Sequence, residues 1–129
     1  MMKAKFMIAL ILSVGIFLLS RPVLAHHSSA AFDTQHLITV QGTVTNFEWS
    51  NPHAFIYLNV KDEKGVVAHW LVEGNSPNML SRVGWKRDMI KPGDIIHVKG
   101  APAKNGAKVL RLNSLTLPSG EQMEGQGFK

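Results

Sequence analysis

Six histidines and no cysteine bound the metal and nucleophile chemistry open to this chain. The sharpest arrangement sits near the start, at His26 and His27, with a third imidazole at His53. Cleavage of a leader after Ala25 would make His26 the first residue of the mature protein. Its free α-amine and its own Nδ1 can then chelate one ion, and an imidazole from His27 or His53 completes three nitrogens. A planar, all-nitrogen set of this kind prefers Cu(II), at the top of the divalent affinity order. Two adjacent histidines cannot easily close on one ion, so His53 is the partner such a site needs. The plainer alternative has His26 and His27 contacting only water, and His53 capping a turn through the backbone. Copper is the one cofactor the pattern suggests, and nothing requires any.

His53 ends the segment Glu48-Trp49-Ser50-Asn51-Pro52-His53. Asn before Pro is pushed into extended or turn backbone, because the proline ring crowds it. The chain therefore reverses here and delivers His53 to the mouth of a strand. Ahead of the corner, Ile38, Val40 and Val44 alternate with Thr39, Gln41, Thr43 and Thr45, a half-buried strand. Gly42 falls on the apolar face, where it permits a bend or close packing. The apolar parity then switches to Phe47 and Trp49, as a bulge would produce.

Beyond the corner, Ala54, Ile56, Leu58 and Val60 alternate with Phe55, Tyr57 and Asn59. A turn at Asp62-Glu63-Lys64-Gly65 leads into a third strand over 66–73. Pairing Asp62 with Val66 sets Val60, Leu58 and Ile56 against Ala68, Trp70 and Val72. Glu73 then lies diagonally from His53, within reach of a long side chain, where a carboxylate could fix the imidazole tautomer. His69 falls about 20 Å away along the sheet and cannot share the site. His36 and His97 fall on a loop and on a solvent face.

Ser76-Pro77 predicts the one helix, with Ser as N-cap, Pro at the first position, Met79, Leu80 and Val83 buried, and Gly84 as the stop. Trp85 is expected to fold back onto the core. Lys91-Pro92-Gly93-Asp94 turns into a fourth strand over 95–99. Lys104-Asn105-Gly106-Ala107 predicts a two-residue hairpin turn, and 109–117 is the fifth strand. Five strands with a helix between the third and fourth predict a mainly β fold, a small five-stranded OB-fold-like barrel. The alternative is an open, sandwich-like sheet with the helix across one end.

A chain of 129 residues allows one small domain. Residues 1–25 read as a signal peptide: a basic start, an uncharged apolar run over 6–19, and small or aliphatic residues before the cleavage point. That run of 14 residues falls short of the ~20 a spanning helix needs. Residues 26–37 read as a flexible lead-in that Phe32 pins to the body, 38–118 as the barrel, and 119–129 as a polar tail with a short hairpin. Losing the leader leaves 11 of the 14 basic residues against 9 acidic ones, a net charge of +2. That argues against a nucleic-acid partner, which calls for a dense basic stripe. With no cysteine there is no disulfide and no acyl anchor, so stability must come from the core alone. The expected location is the periplasm or the medium, with no membrane partner after cleavage.

His26-His27-Ser28, Gly42-Thr43-Val44, Trp49-Ser50-Asn51-Pro52-His53, Trp70-Leu71-Val72-Glu73, Ser76-Pro77-Asn78, Gly84-Trp85 and Lys91-Pro92-Gly93-Asp94 together resemble a bacterial exported family known only as a domain of unknown function. The resemblance covers essentially the whole mature chain. It implies a small periplasmic domain and supplies no activity and no site residues.

In an OB-fold barrel the ligand surface is the strand 2–3 face with the loops joining strands 1–2 and 4–5. Here that selects Trp49, Asn51, His53, Phe55, Tyr57 and Glu73, flanked by Lys104 and Asn105. Large aromatics dominate small cores, so Trp49, Trp70, Trp85, Phe55 and Tyr57 are packing residues first and a stacking platform second. No Ser–His–acid set, phosphate loop or His-Glu-x-x-His is present, so no catalytic residue is named and the reading leans against an enzyme. The sequence therefore predicts a non-catalytic periplasmic binding module for a small ligand, saccharide, peptide or envelope protein. The contrasting reading is a copper-binding or copper-dependent redox protein using His26 with His53.

Overall fold

The computed structural model describes residues 29–125. The segment read as a leader, residues 26–28 with His26 and His27, and the last four residues lie outside that range. A 3-10 turn at Ser29–Ala31 is followed by β1 (Ile38–Glu48), β2 (Phe55–Lys61), β3 (Val67–Glu73), α1 (Pro77–Ser81), β4 (Ile95–Pro102), β5 (Val109–Thr116) and β6 (Gln122–Glu124). β1 runs antiparallel to β2 and β4, β2 to β3, and β4 to β5. A parallel β3–β5 pair closes the ring, giving the mainly β, five-stranded OB-fold-like barrel with one short helix between β3 and β4. Closure excludes the open sheet. β6 pairs with the far end of β5.

The curvature that closure demands is written into β1, which pairs with β2 along one edge and β4 along the other. Its register on β2 shifts between Val44 and Asn46, the bulge that the parity switch predicts. A Cβ at Gly42 would meet Val60, the Asn59 carbonyl and Leu58 at 3.0–3.1 Å, so glycine lets β2 cross close over β1. The β2–β3 register is the expected one, with Ile56, Leu58 and Val60 opposite Val72, Trp70 and Ala68. Asp62 holds the turn: its backbone N–H reaches the Val66 carbonyl at 2.9 Å, and its carboxylate accepts from the N–H groups of Lys64 and Val66.

Val44, Ile56, Leu58, Val72, Ile96, Val98, Leu110 and Leu115 fill the barrel and are all buried. One end is plugged by Leu80 of α1 and by Trp85, whose indole N–H donates to the Glu124 carbonyl at 2.8 Å. Three local expectations need correction. Met79 is 39% exposed, because a five-residue helix turns only Leu80 fully inward. The β4–β5 connection is a six-residue loop, 103–108, in which Ala107 N–H bonds the Asn105 side chain and Gly106 N–H the Ala103 carbonyl. The chain ahead of β1 supplies the reason, since Phe32 bridges Ala103 and the Ala31 carbonyl accepts from Lys104 N–H. Phe32 is 3% exposed. The tail does form its expected short hairpin, as the β5–β6 pair, but it is not wholly polar outside the core, since Met123 of β6 is buried there.

Candidate functional site

β1 ends at Glu48 and the chain turns through a cis Asn51–Pro52 bond before entering β2. The Ala54 N–H bonds the Asn75 carbonyl and the Gly74 N–H bonds the Ala54 carbonyl, which staples the corner to the exit of β3. His53 is thereby set against Gly74, whose carbonyl is 2.9 Å from Nδ1. A carbonyl only accepts, so Nδ1 carries the proton and the neutral ring keeps its lone pair on Nε2. The His53 side chain is 34% exposed.

Glu73 does come close to His53, with 3.7 Å between Oε1 and Nδ1. The diagonal placement follows from the β2–β3 register, in which Phe55 lies opposite Glu73. Glu73 is 2% exposed, however, although alternation points it outward. It is covered by a group the sequence reading missed: Arg111 of β5, which donates to Glu73 at 2.8 Å and, through its second nitrogen, to the Asn75 side-chain oxygen at 2.8 Å. The Asn75 amide in turn donates to the Gly125 carbonyl at 2.8 Å. Glu73 therefore stands behind the surface and positions His53 and Arg111, out of reach of a ligand. The carboxylate is paired with a guanidinium that is itself mostly covered, the arrangement a buried charged pair requires.

The remaining predicted residues divide by exposure. Asn51 is exposed at the tip of the corner. Trp49 is half-buried and packs edge-on against Phe47, with centroids 5.7 Å apart, so it belongs to the rim of the core. Phe55 and Tyr57 are half-buried on the outer face, Phe55 edge-on to His53 at 6.5 Å. Partial burial, then the hydrogen bond and charge of Glu48, push the Tyr57 phenol above its ordinary range. Lys104 and Asn105 line a cavity of about 280 Å³ with Phe32 and Val109 under the β4–β5 loop.

His26 and His27 lie outside the described residues. Among the described residues no three His, Asp or Glu side chains converge to hold a metal ion. His69 bonds Asn59 at 2.7 Å and His36 pairs with Asp33 at 3.0 Å, both away from His53.

No curated protein matches the chain. Among solved structures it is similar to a chain in the crystal structure of a complex of TiaS with an isoleucine tRNA and ATP, at 16% identity and a TM-score of 0.47. That likeness covers 67% of this chain but 19% of the other, so it carries nothing about what this chain binds. The profile of a family of unknown function, DUF6152, matches residues 15–111, about three quarters of the sequence, and the chain belongs to that family.

Proposed function

We propose that this is an exported, non-catalytic binding module whose recognition surface is the 49–53 corner together with Phe55 and Tyr57. The observation that carries the reading is the fixed imidazole. His53 is held by the Gly74 carbonyl and backed by a buried carboxylate, yet its side chain stays 34% exposed, edge-on to the half-exposed Phe55. Apolar surface with a few oriented polar groups is the usual make-up of a ligand site. The export assignment is supported by the leader pattern of residues 1–25. Amide shifts of the mature protein, titrated with envelope sugars and peptides, should appear at residues 49–57. Shifts confined to the opposite wall of the barrel would sink the placement.

A second reading, copper binding by His26 with His53, is favoured by one feature. An imidazole that donates Nδ1–H to the backbone and offers Nε2 is the arrangement found behind metal-bound histidines. Residues 29–31 form a 3-10 turn tied to Lys104, so residues 26–28 must make most of the bridge to the corner, about 10 Å of extended chain. On this reading His53→Ala weakens Cu(II) affinity at least tenfold, or ~1.4 kcal/mol. The loss of one half-exposed hydrogen bond costs about 1 kcal/mol and leaves the barrel folded. Cu(II) titration of untagged, correctly processed wild type and variant checks it, and equal affinities reject the shared ion.

A further inference from the structure

β2 carries an unbroken line of outward side chains. His53 and then Phe55, Tyr57, Asn59 and Lys61 face away from the core, because the intervening Ile56 and Leu58 are 2% and 1% exposed. At ~3.3 Å per residue the line is about 26 Å long. Its end farthest from His53 runs into a second concavity of about 490 Å³, within the size range of small-ligand sites. Gln41, Gly42 and Thr43 of β1 line it with Asn59 and Lys61, and Val67 of β3 and Ile95 of β4 add exposed apolar side chains. The Asn59 side-chain oxygen accepts from His69 Nδ1 at 2.7 Å, which orients the Asn59 amide. Lys61 is exposed and has no ion-pair partner among the described residues.

We propose that the β2 strip and this groove form one continuous site for a linear oligosaccharide that places a carboxylate at Lys61. The assignment rests on the 49–57 surface being a recognition site, and it extends that surface along the strand. β2 is hydrogen-bonded to β3 over its whole length and to β1 from Phe55 to Asn59. An extended peptide recognised by strand addition needs a free backbone edge, and this strip has almost none to give. A nucleic-acid strand needs cations spaced along its phosphates, whereas the strip holds Lys61 alone and has Glu48 beside Tyr57. What the strip does hold is aromatic faces at one end and amide and hydroxyl groups at the other, the complement of a chain of sugar rings. The lone ammonium supplies the charge complement for an acidic sugar. OB-fold barrels use this same face for oligosaccharides as well as oligonucleotides.

The test titrates the mature protein with tetragalacturonate, neutral cellotetraose and an oligothymidylate, read by amide shifts and calorimetry. Tetragalacturonate should shift residues 53–61 together with Thr43, Val67 and Ile95. Lys61→Ala should weaken it at least tenfold while leaving the cellotetraose affinity within twofold and the thermal midpoint unchanged. Shifts limited to 49–57 overturn the extended site and leave the corner reading standing. Shifts only on the opposite wall remove both, and no shift with any probe overturns the oligosaccharide site. Tighter binding of oligothymidylate than of either sugar assigns the strip to nucleic acid and overturns the proposal. An equal loss for both sugars in Lys61→Ala overturns the carboxylate assignment.

Discussion

Arg111→Met should lower folding stability by about 3 kcal/mol, the lower end of what removing one partner of a buried pair costs. The lower end applies because the Arg111 side chain is itself 21% exposed, whereas that of Glu73 is only 3% exposed. Without the guanidinium, the Glu73 carboxylate faces only the His53 imidazole at 3.7 Å, and the Asn75 side-chain oxygen loses its donor. For a domain of this size the thermal midpoint should fall by roughly 15 °C. The double variant Glu73→Leu/Arg111→Met should recover most of the loss, since an apolar pair of similar volume carries no desolvated charge. Urea unfolding of the wild type and the two variants measures it. A single variant as stable as wild type would mean that Glu73 is satisfied some other way.

Gly100→Ala is the second large effect, about 3 kcal/mol, at the upper end for overpacking. Gly100 sits where the β4–β5 register shifts, and a Cβ there would lie 2.5 Å from the Arg111 carbonyl oxygen and 3.2 Å from the Leu110 Cβ. Both obstacles belong to an interior strand, so the backbone itself must move. Gly106→Ala is the control. Its φ is +82° but nothing lies within 4 Å of the added carbon, so it should cost only the ~1–2 kcal/mol of left-handed backbone. Equal losses in the two variants would show that conformation, and not the Arg111 carbonyl, sets the cost at Gly100. Because that carbonyl belongs to the residue that covers Glu73, Gly100→Ala and Arg111→Met should combine non-additively.

The parts of the barrel joined by short connections were legible in the sequence. The turn at Asp62 allows one register that keeps Ile56, Leu58 and Val60 on one face with Val72, Trp70 and Ala68, and that register carries Glu73 to His53. The parity switch at Phe47 located the bulge, because one extra residue in a strand moves every later side chain to the other face. Arg111 escaped notice for the opposite reason. It lies between Leu110 and Leu112, so alternation marks it as outward, but its partners are set by a parallel pairing that no turn registers. Asn75, just past β3, gives no periodic signal at all. Met79 was misplaced because helical spacing describes a stripe, and five residues are too few to make one. The β4–β5 loop was misjudged because Asn105-Gly106 signals a turn and says nothing about how Phe32 engages the strand beside it.

The barrel is shut by its shortest ladder. β3 and β5 meet only at Leu71–Val109, Val72–Leu110 and Glu73–Arg111. Three backbone rungs return little for the loop they close, so the side-chain links from Arg111 to Glu73 and Asn75 act as a latch across the seam. Segments with few backbone rungs are where a fold opens first. Gly74, whose carbonyl holds His53, follows the last rung directly, so the imidazole stands at the edge of the seam. The staple of Ala54 to Gly74 and Asn75 lies on the β2 side of that seam, so the ring can open between β3 and β5 while the corner around His53 stays assembled.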